Sequence, residues 1–141
     1  MTYGQLKSLC EALLTGDNIL PDDDDQVKSL LSYAYNKVAT EADALKLFTA
    51  SKDNAILRQG PGRTFIRVPD LPKDDNDELD VDSELGFPTA RYICSFISRE
   101  KGGIHVMEAQ TLIRHYNAKV QAYLESLDQA NELEDDIRMT I

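Results

Sequence analysis

Long apolar runs are missing from this sequence. No stretch approaches the ~20 apolar residues that cross a bilayer, so no membrane contact is expected. The opening MTYGQLKSLC lacks a basic cluster followed by an apolar block, and a signal peptide is not expected. Cysteine is scarce. Cys10 and Cys94 have neither metal nor redox spacing, and both fall on apolar helix faces, where reduced core thiols are expected. Histidine is equally scarce: His105 and His115 stand ten residues apart, without metal-ligand spacing. No serine occupies a nucleophile elbow, and the one glycine-rich stretch does not end in Gly-Lys-Ser/Thr. Carboxylates cluster in loops, where they are solvated rather than tuned for acid–base work. No enzyme, cofactor or metal is expected from these residues.

Positive charge is also in deficit. Fifteen Lys and Arg face 25 Asp and Glu, for a net charge of −10. Phosphate neutralisation drives nucleic-acid binding, so an acidic chain is a poor candidate for gripping DNA. It is suited to bordering DNA, imitating it, or binding a basic protein. At 141 residues one domain is the simplest expectation.

What the chain has is helical periodicity. Residues 104–127 carry Ala109, Leu112, Ile113, Tyr116, Val120, Tyr123, Leu124 and Leu127 at steps of three, four and one, which is one face of a helix. A one-sided helix this long needs a partner for its stripe. Residues 2–14 form a first helix, with Thr2 and Gln5 at capping-box spacing and Tyr3, Leu6, Leu9, Cys10 and Leu13 as its stripe. Gly16 is its stop. Asp22, Asp23, Asp24 and Asp25 suit a helix start; calcium-loop spacing fails for want of a glycine and a terminal glutamate. The second helix spans about 24–42, with Val27, Leu30, Leu31, Ala34 and Val38 inward and Tyr33 and Tyr35 flanking.

Residues 45–68 change character. Ile56 and Leu57 precede Gly60-Pro61-Gly62, and Phe65 and Ile66 follow it, the pattern of a small β-hairpin. A connector over 69–86 follows, rich in acids from Asp74 to Glu84 and expected as a solvated loop without metal. Pro88 opens a third helix, expected to reach Lys101, with Phe87, Tyr92 and Phe96 widening its apolar face; Gly102-Gly103 then links it to the long helix as an antiparallel pair. Residues 128–141 read as an extended tail. The expected fold is mainly α: a four-helix bundle-like domain over 1–127, with the hairpin insertion and the tail.

These phrases carry a resemblance. Met1-Thr2-Tyr3-Gly4-Gln5-Leu6-Lys7 resembles the start of tailed-phage head-to-tail adaptor proteins, also called connector or head completion proteins. Val68-Pro69-Asp70-Leu71-Pro72, Leu85-Gly86-Phe87-Pro88, and the pairing of the Tyr92–Ile97 helix with the Tyr116-Asn117 helix extend the likeness over nearly the whole chain. The resemblance implies a structural virion protein at the neck, made in the host cytoplasm. It implies a homo-oligomeric ring, usually of twelve copies, that binds the portal protein, docks tail or nozzle proteins, and passes DNA through its channel without specific contacts. Ile56, Leu57, Phe65, Ile66, Ile137, Met139 and Ile141 are the candidate residues for contact with the portal or a neighbouring copy: the strands are too short to cover their own apolar groups, and the last three have no evident stripe to join. The alternative is an acidic interaction protein, a DNA mimic or an inhibitor of a nucleic-acid-binding protein. A helix-turn-helix regulator lacks its basic recognition helix.

Overall fold

The computed structural model describes residues 1–42, 57–60, 63–66 and 70–140. It is mainly helical. Helix α1 spans Tyr3–Leu13. Its capping box is closed in both directions: the Gln5 amide donates to Thr2 Oγ1 at 3.2 Å, and the Thr2 amide donates to Gln5 Oε1 at 2.9 Å. Gly16 follows in a turn with φ +67°, a backbone region that disfavours side chains. Helix α2 spans Asp24–Glu41. Asp23 caps it by accepting from the Asp25 amide at 3.0 Å, and Asp24 and Asp25 supply negative charge to the first turn.

Strands β1 (Leu57–Gly60) and β2 (Arg63–Ile66) pair antiparallel, in the register Leu57 with Ile66, Arg58 with Phe65, Gln59 with Thr64 and Gly60 with Arg63. A 3-10 turn at Ser83–Leu85 leads into α3, Gly86–Ile97. Helix α4 then runs Gly102–Thr140. The first turn of α4 lies hard against α3: a Cβ on Gly102 would stand 3.0 Å from the Ser95 carbonyl oxygen, so only glycine fits there without a shift.

Helix α3 is central and packs against α1, α2 and α4. The core gathers Leu6 and Cys10 from α1, Leu31, Ala34, Tyr35 and Val38 from α2, Ala90, Tyr92, Ile93 and Cys94 from α3, and Ala109, Ile113, Tyr116 and Val120 from α4. Ile97 packs at its margin. Both cysteines are free and buried. Each thiol donates to a backbone carbonyl across the α1–α3 contact, Cys10 to Ala90 at 3.8 Å and Cys94 to Cys10 at 3.6 Å. Neighbouring Cys94 and burial raise the Cys10 thiol well above its usual range.

Several expectations need correction. Residues 128–140, expected as an extended tail, continue α4 as helix. The reason is visible in composition: no glycine or proline follows Gly103, and Gln129, Ala130, Glu132, Leu133 and Glu134 have good helix propensity or tolerate helix well. Helix α3 stops at Ile97 rather than 101, because Ser98 turns extended and its Oγ accepts from the Lys101 amide at 3.1 Å. Phe87 and Phe96 are about half exposed rather than buried on α3. Tyr35 is fully buried, whereas Tyr33 is 65% exposed and meets Phe96 edge to face at 6.2 Å between centroids.

Candidate interaction surfaces

The acidic connector is not a free solvated loop. It clamps the start of α1. The Tyr3 amide donates to the Asp77 carbonyl and the Gly4 amide to the Asp75 carbonyl, each at 2.9 Å, and the Leu79 amide donates to the Met1 carbonyl at 3.0 Å. The terminal ammonium donates to Glu78 Oε2 at 3.0 Å, and Lys7 pairs with Asp75 at 2.6 Å. Inside the connector, Asp77 Oδ2 accepts from the Lys73 amide at 2.6 Å and the Asp74 amide at 3.2 Å. Those two backbone donors hold the Asp77 carboxyl below the usual carboxylate range. Leu79 and Leu85 are buried and anchor the loop.

Tyrosine hydroxyls tie helices to carboxylates in three places. Tyr3 donates to Asp24 Oδ1 at 2.7 Å, Tyr92 to Glu41 and Tyr116 to Asp82. Tyr35 uses its oxygen differently, accepting from the Asp80 amide at 3.4 Å. Burial first, then the neighbouring Asp24 or Glu41, pushes the Tyr3 and Tyr92 phenols far above their ordinary range; burial pushes Tyr35 up to about 12. The hydrogen bond from Tyr3, followed by that from Lys28, lowers Asp24.

A cleft of about 480 Å³ opens between the connector and α4. Glu78, Asp80, Asp82 and Glu84 line it, yet each already has a partner: the N-terminus, the Asp70 amide, the Tyr116 hydroxyl and Lys119. Among the described residues no group of three His, Cys, Asp or Glu is placed to hold a metal. His105 is buried, with Nδ1 3.1 Å from an Arg91 guanidinium nitrogen. Burial, then the Arg91 and Lys101 charges, lowers its pKa, which favours a neutral ring accepting from arginine.

What the surface offers is apolar. Helix α4, at 39 residues, is about 58 Å long, whereas its partner α3, at 12, is about 18 Å. The stripe of α4 is covered through Val120, and Leu124 beyond it is partly covered. Tyr123 is 51% exposed and Leu127 38%. Both belong to the stripe that the sequence assigned to the core. The signal that separates them from Ile113 is length: a 3.6-residue pattern longer than any available partner must end in the open.

The candidate contact residues divide three ways. Ile56 and Ile141 lie outside the described residues. Leu57 and Ile66 are opposite each other in the strand register, and Phe65 is opposite Arg58. Ile137 and Met139 stand in α4. Tyr123, Leu127, Tyr33 and Phe96 are exposed groups that are not among the candidate contact residues of the sequence. No model of a protein family, no curated protein and no solved structure matches this chain.

Proposed function

We propose that this chain is a structural virion protein: a head-to-tail adaptor that forms a ring beneath the portal of a tailed phage, extends the DNA channel and docks tail proteins. In this reading the helical body is the ring segment, and the β1–β2 insertion and the C-terminal part of α4 are its arms toward the portal or neighbouring copies. The observation that carries the reading is the excess length of α4. A stripe with Tyr123 and Leu127 exposed suits a protomer completed by neighbours. A net charge of −10 suits a conduit that must let phosphate slide past.

The rival DNA-mimic reading requires rows of carboxylates free to face a basic partner. Within the connector, Glu78, Asp77 and Asp82 already accept hydrogen bonds from the N-terminus, backbone amides and Tyr116, which favours the adaptor over a mimic built on those acids. The test is to purify tailed particles from a host making the full-length protein, and to label it. Signal at the neck, between head and tail, is expected. Absence of the protein from particles overturns the reading.

A further inference from the structure

Residues 45–68 carry five bases (Lys46, Lys52, Arg58, Arg63, Arg67) against one acid (Asp53), a net of +4. The distal end of α4 has the opposite character. Residues 121–140 carry six acids (Glu125, Asp128, Glu132, Glu134, Asp135, Asp136) against Arg138, a net of −5. The distal helix face also leaves Tyr123 and Leu127 exposed.

We infer that the occupant of the distal α4 face is the β1–β2 segment of a second copy of this chain. The inference rests on the adaptor reading, in which a ring closes only through a heterologous contact, one patch meeting a different one. The two segments here are different and complementary in charge. Opposite charge selects the register and the partner, and apolar burial supplies the affinity. The same complementarity disfavours stacking of like segments, because two distal α4 ends repel, as do two hairpins. A repeated one-way contact of this kind produces rings or open filaments rather than a two-fold dimer.

The experiment is a charge swap read by sedimentation velocity at low ionic strength. The variants are Arg58→Glu with Arg63→Glu, Glu134→Arg with Asp135→Arg, and all four together. Circular dichroism checks that each keeps its helix content. The wild-type chain is expected to self-associate with rising concentration, and added salt to weaken this about tenfold as the Debye length falls below about 10 Å. Each paired variant should weaken association at least about tenfold, and the fourfold swap should restore most of it. A wild-type chain that stays monomeric up to about 1 mM, paired variants that associate like wild type, or a fourfold swap that fails to recover each overturns the pairing. None of these outcomes touches neck labelling in particles, which tests the adaptor reading separately.

Discussion

The two halves of α4 share one apolar stripe and meet different fates. Up to Val120 the stripe is core: Ala109, Ile113, Tyr116 and Val120 are all buried against α3 and its neighbours. Beyond it, residues 121–130 are exposed except for Leu124, which is partly covered. Nothing in the local pattern changes at the boundary. What changes is the supply of partners, since α3 is about 18 Å long. Helical periodicity says which face needs covering; only the lengths of the other elements say whether the same chain covers it.

The comparison can be broken first at Ile113. It is 2% exposed in the proximal half, and Ile113→Ala should lower unfolding free energy by roughly 2–5 kcal/mol in chemical denaturation. Leu127→Ala is the control from the distal half, where less than about 1 kcal/mol is expected. Equal costs at the two positions would mean that the halves are not different in kind.

A smaller effect is expected from Tyr92→Phe, which leaves the helix packing intact but removes the donor to Glu41. A loss of about 1 kcal/mol is expected for this hydrogen bond. The body should also weaken in alkali. Tyr3, Tyr35 and Tyr92 have raised folded-state pKa values, so their contribution is complete below the unfolded value of about 10 and is lost as pH rises beyond it. Thermal melts should be level from pH 8 to about 9.5 and fall between about pH 10 and 11.5, less so in Tyr92→Phe.

On the acid side, His105 has a lowered folded-state pKa. Its contribution is complete above about 6.5 and is lost as pH falls through that value, because the unfolded ring takes the proton more readily. His105→Gln should flatten the pH dependence of stability between about pH 7 and 5. The smallest expected effect is none: melts with calcium and with chelator should coincide, since the connector carboxylates already have donors. A calcium-dependent rise of many degrees would contradict that assignment.

Much of the helical body was legible because local signals were unambiguous. Thr2 and Gln5 make the box their spacing announces, and Ile93, Ile113 and Val120 are core. Tyr35 was misjudged because a flanking position on a helical wheel says nothing about a neighbouring loop; the connector closes over it and donates the Asp80 amide. The solvation of the connector is legible in its charge; the work of its carboxylates as caps and hydroxyl acceptors is not, because that role is set by residues far away in sequence. The end of α4 was misread because acidity was taken as a helix end when no helix breaker was present. The exposure of Tyr123 and Leu127 is not legible in the periodicity, since it depends on the reach of α3.

The most direct test of the account is removal of what projects. A chain truncated after Leu127 should keep the circular dichroism and unfolding free energy of the helical body. It should fail to join portal-containing heads when it replaces the full-length protein during particle assembly. Incorporation of the truncated chain at the full-length level would contradict a role for the distal part of α4 in assembly.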